Sequence, residues 1–457
     1  MEFNFPEAFI ESLQSAPGFN AGDFIRSHSL TVPVSVRINP AKNYDPGNDL
    51  KNVPWHPDGK YLPSRPDFTL DPAFHAGAYY VQEASSMSIF AALEEHTDNE
   101  GNLRVLDLCG APGGKSTLIA SWMKGNGLLV ANEVIRSRAA ILEENLIRWG
   151  TPNVIVSNSD PRQFARLEGF FDVIVVDAPC SGSGMFRKDN AAMGHWSLNS
   201  VEHCAARQRR ILTNIWPALR ENGLLVYSTC SYSEAEDEEI SNWVKSDLEA
   251  EILTIRSLET IPGIIKTNAG YRFYPDKIEG EGFYISAIRK TSAQEELTFK
   301  SLQKTKAIPE FISQWLKDPG NYCLVETHLG ESLIPATVKE LLPHLLKHLH
   351  IVKCGISAGE LKGKTYLPSH DMALSTFLNK DIPAIDLGRE EALRFLKKEA
   401  LPAILGKSGY NLMRYNGLGL GWGNALPNRI NNYLPKSWRI IKSITESNTN
   451  QGESITN

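Results

Sequence analysis

The sequence predicts an α/β protein built on a doubly wound, Rossmann-like sheet of mostly parallel strands. Three observations carry that prediction. Between about residues 103 and 290, short β-rich runs alternate with helical stretches. The runs are continuously apolar, as expected where helices cover both faces of a parallel sheet. The residues just after each run are glycines, acids and cysteines, and in such sheets ligands collect at the carboxyl ends of the strands.

Taken in order, Leu103–Leu108, Gly127–Asn132, Val154–Ser157, Phe171–Val176 and Leu224–Ser228 read as strands, and Lys115–Met123, Arg136–Trp149 and Asn199–Arg220 as helices. A catalytic unit over 76–291 contains them all. Residues 1–75, with a short helical start and a proline-rich middle (Pro46, Pro54, Pro57, Pro63, Pro66), form a small α+β unit whose chemistry the sequence leaves unread. A polar linker over 292–308 leads into a third unit, 309–445. The stretch 446–457 has no apolar periodicity and is expected to be disordered.

Composition narrows the class. A chain of 457 residues, 42% hydrophobic and 22% charged, has the make-up of a multi-domain globular protein. No apolar run is long enough to span a membrane, and the start MEFNFPEAFIESL lacks the basic region and apolar core of a secretory signal. The expected location is therefore the cytoplasm, without a membrane partner. Six cysteines, at 109, 180, 204, 230, 323 and 354, form no C-x-x-C pair, so no metal and no disulfide framework is expected. The net charge of −6 excludes a uniformly basic nucleic-acid coat but not a local basic patch.

The first strand ends in Cys109-Gly110-Ala111-Pro112-Gly113-Gly114-Lys115, which invites comparison with a phosphate-binding loop. The register fails. In G-x-x-x-x-G-K-[ST] the first glycine would fall on Cys109. The second strand ends in Asn132-Glu133, and an acid at this distance from a glycine loop suits a ribose hydroxyl pair. Asp160 follows the third strand and Asp177 the fourth. Any one of these acids could simply cap a helix. Together with the loop they describe a nucleoside pocket, whereas an RNA-dependent ATPase would leave Glu133 without a role.

Cysteine sharpens the reading. Asp177-Ala178-Pro179-Cys180 follows the fourth strand and Ser228-Thr229-Cys230-Ser231 the fifth, so both thiols emerge at one edge of the sheet. Cys204, Cys323 and Cys354 read as small buried hydrophobes. A nucleoside pocket beside paired thiols fits methylation of cytosine carbon 5, which becomes nucleophilic only after a thiolate adds at carbon 6. A carboxyl group at ring nitrogen 3 would stabilise the developing charge, and Asp177 is placed for that. The residues alone leave open which thiol attacks.

Four segments carry a resemblance: Gly77 to Ser86 (GAYYVQEASS), Cys109 to Lys115 (CGAPGGK), Asp177 to Asp189 (DAPCSGSGMFRKD) and Tyr227 to Tyr232 (YSTCSY). They resemble the RNA cytosine-5 methyltransferases of the Sun family, and within it the bacterial RsmF group acting on ribosomal RNA. The resemblance implies a class I methyltransferase fold with S-adenosylmethionine as cofactor, held by residues 109–115, Glu133, Asp160 and Asp177. It implies Cys230 as nucleophile and Cys180 as the group that helps expel it from the methylated product. Departures are Ser183, where relatives often carry an acid, and Gly110, where alanine is common. The same core also serves transfer-RNA methyltransferases.

Between Ala400 and Thr445 there is no acid, while Lys407, Arg414, Arg429, Lys436, Arg439 and Lys442 interleave with Tyr410, Tyr415, Trp422, Tyr433 and Trp438. The aromatics suit the core of a small β domain as well as an RNA-binding face; the basic surplus suits RNA phosphates. GLGLGWGNALPNRINNYLPKSWR resembles the PUA-like C-terminal region of RsmF proteins, which implies RNA binding. The full expectation is a monomer with an N-terminal RNA-binding unit, a Rossmann-like methyltransferase and a PUA-like module, acting on RNA, 16S ribosomal RNA above all, and not on DNA.

Overall fold

The computed structural model describes residues 5–47, 49–98, 101–295, 304–362 and 365–442. The expected tail, 446–457, and part of the expected linker, 296–303, lie outside the described residues. At the N-terminal side, β1 (Val34–Ile38), β2 (Gly59–Leu62) and β3 (Tyr79–Val81) form a small antiparallel sheet in the order β2-β1-β3, preceded by helices Glu7–Ser12 and Ala21–His28. The central sheet then takes β4 (Arg104–Asp107), β5 (Leu128–Asn132), β6 (Val154–Ser157), β7 (Phe171–Asp177) and β8 (Leu219–Thr229), all parallel where they pair. Their order is β8-β7-β4-β5-β6.

Beyond β8 the sheet turns antiparallel. β9 (Ala250–Leu253), β10 (Ile265–Lys266), β11 (Tyr271–Phe273) and β12 (Phe283–Lys290) follow in the chain, and β12 pairs with β8, β9 and β11. Each parallel strand is apolar because helices pack on both sides: α1 (Gly114–Trp122), α2 (Arg136–Trp149), α3 (Leu198–Ile215) and α4 (Glu238–Asp247). The architecture is a doubly wound α/β sheet, as the sequence predicts, with an antiparallel extension beyond β8.

Most predicted boundaries lie within a residue or two of those observed, but α3 stops at Ile215 instead of running to Arg220. Pro217 has no backbone N–H and its ring crowds the preceding turn, so the chain passes through a short 3₁₀ turn, Trp216–Ala218, and starts β8 at Leu219. At the other end of α3, the Ser197 hydroxyl accepts the Ser200 N–H at 3.1 Å, a hydroxyl cap for an otherwise orphaned donor.

The three units pack intimately. Residues 351–354, from the third unit, form a strand antiparallel to β6, with Cys354 opposite Ile155, and cover what would be an exposed edge. Val36, Ile38 and Tyr79 of the N-terminal sheet share one apolar core with Phe395, Met413 and Leu420 of the C-terminal sheet. The end of α2 is where all three meet. Gly150 turns left-handed there (φ +85°), and any side chain would run into the Leu374 carbonyl. Its own carbonyl accepts from Thr376 N at 2.9 Å, and Asn39 Nδ2 donates to the Trp149 carbonyl at 3.1 Å.

The C-terminal sheet has five strands in the order 384–386, 409–415, 418–426, 429–432, 401–402. Trp422 is buried in its core, and the Arg414 guanidinium pairs with Asp386 at 2.9 Å. Tyr433, Lys436 and Arg439 remain exposed.

Arg37 joins the N-terminal sheet to α1. Fully buried, it donates to Gln82 Oε1 (2.8 Å), Thr117 Oγ1 (2.6 Å) and the Gly114 carbonyl (3.2 Å), with its guanidinium 4.6 Å from the Trp149 ring. Burial pulls its pKa down to about 9, yet it is charged at neutral pH. Arg37→Met should cost about 2–4 kcal/mol in urea unfolding, because several buried acceptors lose a charged donor. Arg37→Lys should recover little of that, since one ammonium cannot span the fork of acceptors.

Candidate active site

The loop after β4 is shaped by one backbone requirement. Gly113 sits at φ +122°, where a side chain would be strained and would press on Asn145, and it delivers the chain into the first turn of α1. Two side chains of α2 hold the loop from outside: Arg138 donates to the Ala111 carbonyl at 2.8 Å and Asn145 to the Pro112 carbonyl at 2.7 Å. Below it Asp107, fully buried at the end of β4, accepts the Ser116 hydroxyl at 2.6 Å. Burial pushes the Asp107 carboxyl up to about 7, with the Ser116 bond and nearby Lys115 acting in the opposite sense. The Cys109 thiol is likewise raised by burial, so it is protonated and inert.

Lys115 does not reach outward as a phosphate-binding lysine would. Its Nζ lies 2.7 Å from Asp177 Oδ2. Burial alone would lower this ammonium, but the charges of Asp177 and Asp107 outweigh it and raise the pKa. The other Asp177 oxygen accepts the Ser228 hydroxyl at 2.9 Å. Asp177 therefore ties the glycine loop, the end of β7 and the end of β8 together.

A cavity of about 450 Å³ opens beside the loop, walled by Leu108, Cys109, Glu133, Ile135, Asp160 and Pro179. Glu133 is almost fully buried, its carboxylate accepting from Ile135 N (2.9 Å) and facing Arg138 (3.3 Å). Each oxygen keeps a lone pair for a ligand. Asp160 is half-exposed and doubles as a helix cap: it accepts Arg162 N at 2.9 Å, and hydrogen bonding to the Arg162 side chain lowers its pKa. The capping alternative for this acid is thus realised, on the wall of the same cavity.

The two thiols meet. β7 and β8 pair with Asp177 opposite Ser228, and the loops leaving them bring Cys180 Sγ within 3.2 Å of Cys230 Sγ, both as free cysteines. The hydrogen bond to Cys230, and then burial, raise the Cys180 pKa well above the ordinary thiol range, so Cys180 keeps its proton. The Cys230 carbonyl accepts Gly184 N at 2.7 Å, and Ser183 Oγ accepts Tyr232 N at 3.0 Å, which gives the departure at Ser183 a structural task. Cys204 lies on α3, while Cys323 and Cys354 pack in or against the core.

The sequence reading missed three things. Asp107 reads simply as the end of an apolar strand. Glu236, Asp237 and Glu238 look like a solvated acidic helix start but are buried, with Arg272 forked onto Glu238 and its Nη1 donating to the Tyr232 carbonyl at 2.6 Å. The N-terminal helices also buttress the thiol loop, Phe24 packing on Tyr232 with ring centroids 5.1 Å apart. The one available signal was that each strand-end cysteine is followed by serine.

Comparison with known proteins decides the family. Residues 92–289 match the family model for 16S rRNA methyltransferase RsmB/F, 5–84 the N-terminal domain of 16S rRNA methyltransferase RsmF, and 382–440 the methyltransferase RsmF PUA domain. Ribosomal RNA small subunit methyltransferase F of Psychromonas ingrahamii is 32% identical, over 94% of this chain and 96% of its own length. The chain belongs to the RsmF family of 16S rRNA methyltransferases. The Vibrio parahaemolyticus RsmF relative is 31% identical over 94% of this chain and 97% of its own. A methyltransferase homologue from Pyrococcus horikoshii superposes with a TM-score of 0.51 at 28% identity, covering 62% of this chain and 99% of that one. NSun6 from the same organism, solved with SFG, gives 0.54 at 21% identity, covering 64% and 100%, and shares the fold. Among the described residues no helix is long and apolar enough to cross a membrane.

Asp107 gives this RsmF-family site a measurable pH signature. Its pKa rises from 3.8 to about 7 on folding, so the folded state holds its proton more tightly. The associated stability is full below about 4 and is lost as pH rises through about 7. Asp107→Asn should therefore flatten the decline in unfolding free energy between pH 4 and 7, as read by urea titration at a series of pH values.

Proposed function

We propose that this protein methylates carbon 5 of a cytosine in 16S ribosomal RNA, using S-adenosylmethionine and a covalent link from Cys230 to carbon 6. The observation that supports it best is the pair of thiols 3.2 Å apart on adjacent strand ends beside a nucleoside-sized cavity. The donor set suits the cofactor: Glu133 for the ribose hydroxyls, Asp160 at the cavity wall, and the backbone of 109–115, which Gly113 allows to approach closely. When bound, S-adenosylmethionine supplies an electrophilic methyl group.

The chain's own groups handle the cytosine. Cys180, which keeps its proton, lies 3.2 Å from the Cys230 sulfur, within reach to donate its S–H once that sulfur has given up its own proton. Cys230 Sγ adds to carbon 6, and the electron pair of the 5,6 double bond makes carbon 5 nucleophilic. The Lys115–Asp177 pair faces the charge that develops toward nitrogen 3. After methylation, carbon 5 gives its proton to water, the double bond re-forms and the carbon–sulfur bond to Cys230 breaks, its electron pair leaving on the Cys230 sulfur. Cys180, released from its hydrogen bond by the addition, assists this last step. Ribosomal RNA as substrate sets the reaction in the bacterial cytoplasm.

Cys230→Ser should abolish turnover and form no adduct, because a hydroxyl is far less ionised than a thiol. Cys180→Ser should still add but fail to eliminate, leaving a protein–RNA adduct on denaturing gels that requires S-adenosylmethionine. The double variant should show none. Adduct from Cys230→Ser and none from Cys180→Ser would reverse the roles.

RNA affinity is assigned to the N-terminal and PUA-like units, with Lys436 and Arg439 as exposed phosphate contacts. Point changes test this better than truncation, since removing the third unit would strip the strand 351–354 from the catalytic sheet. Replacing both residues with glutamine should reduce the slope of log affinity against log salt by roughly 1.4 to 1.8, two phosphate contacts, leaving cofactor affinity unchanged.

A further inference from the structure

Each thiol of the pair is followed by a serine, Cys180-Ser181 and Cys230-Ser231, and both serines turn to the same buried carboxylate. Glu236 Oε1 accepts Ser181 N at 2.7 Å. Glu236 Oε2 accepts the hydroxyls of Ser181 and Ser231, each at 2.6 Å. Its backbone is anchored as well, the carbonyl accepting the Tyr227 hydroxyl at 2.6 Å from within β8. The carboxylate has no exposed surface and pairs with no cation among the described residues, so neither the methyl transfer nor an ion pair accounts for it.

We propose that Glu236 is a positioning residue that sets the separation of the two thiols. The two loops also meet at the Ser181 and Ser231 hydroxyls, 3.5 Å apart, and through Gly184 N to the Cys230 carbonyl and Tyr232 N to Ser183 Oγ, but among the described residues Glu236 is the side chain that holds both serines from a third point. Three hydrogen bonds to one carboxylate fix Ser181 against Ser231, and each serine directly follows in the chain the cysteine whose sulfur it helps to position. Burial of the group raises its pKa, while the three serine donors, with the Cys204 thiol as a fourth, favour the charged form. Its charge also raises the Cys180 pKa, so an electrostatic role would make the thiols less reactive. Geometry is the benefit that remains. The inference rests on the reading of Cys180 and Cys230 as the reacting pair, but the separation it explains can be measured without any methylation.

The sign of that measurement discriminates. On treatment with diamide, each cysteine gives up a proton and an electron to the N=N bond, which becomes a hydrazine as the Cys180–Cys230 sulfur–sulfur bond forms. Loss of a nearby negative charge would speed this reaction, whereas loss of alignment would slow it. In full-length protein, Glu236→Ala is expected to form the disulfide at least about tenfold more slowly, and to lose kcat by about 100-fold, the effect of misplacing a reacting group by about 1 Å. KM for RNA and for S-adenosylmethionine should stay within about twofold, since no contact to either ligand is removed. Glu236→Gln should restore both rates to near wild type, because an amide nitrogen can donate to the two hydroxyls while its oxygen still accepts Ser181 N. If Glu236→Ala fails to fold, the Ser181→Ala/Ser231→Ala variant is read by the same two rates. A folded variant whose disulfide forms as fast as wild type, or faster, overturns the proposal, as does a Gln variant as impaired as the Ala variant. A slowed disulfide with methylation of a different atom would leave the positioning role standing and refute the carbon-5 reading instead.

Discussion

The pairing of β7 with β8, Asp177 opposite Ser228, is the constraint on which the site depends. Parallel neighbours send their loops out of the same edge, so a cysteine three residues past Asp177 and one two residues past Ser228 arrive within touching distance. A one-residue slip would send the side chains of one strand to the other face and separate them. The remaining structure protects this register: β12 closes one side of β8, β4 flanks β7, and helices seal both faces so that the strands are held by burial as well as by hydrogen bonds.

Around this register lie three ion pairs that are partly or fully buried. Asp177 joins Lys115 to Ser228, Arg187 pairs with Glu281 at 3.0 Å, and Arg272 grips Glu238. Buried ion pairs add little net stability, because desolvation consumes most of the Coulomb gain. They do make alternative arrangements costly, since breaking one leaves a charge unpaired. That suits the proposed function, in which two sulfurs, a glycine loop and a carboxylate hold their places while a nucleotide enters.

The part of this arrangement legible in the sequence is the part written in local pattern. Apolar runs gave the strands, and residues immediately after them gave the loop, Glu133, Asp160, Asp177 and both cysteines. What stayed hidden depends on long-range packing. Nothing around Ile351 announces that it will join a sheet nearly two hundred residues upstream. Glu236 and its acidic neighbours look solvated until Ser181, Ser231 and Arg272 arrive from elsewhere in the chain. Arg37 reads as a charged residue in a short strand, and only the docking of that strand on α1 buries it. The end of α3 was missed for a local reason, the strength of a helical pattern that masked Pro217.

The central claim is that these groups act together on carbon 5 of a ribosomal cytosine. It is tested most directly by mass spectrometry of nucleosides from 16S ribosomal RNA, comparing cells with the gene, cells without it, and deletion cells carrying either wild type or Cys230→Ser. The account predicts that one 5-methylcytidine disappears on deletion, returns with wild type and stays absent with Cys230→Ser. Undiminished 5-methylcytidine in the deletion, or loss of a differently methylated nucleoside, would contradict it.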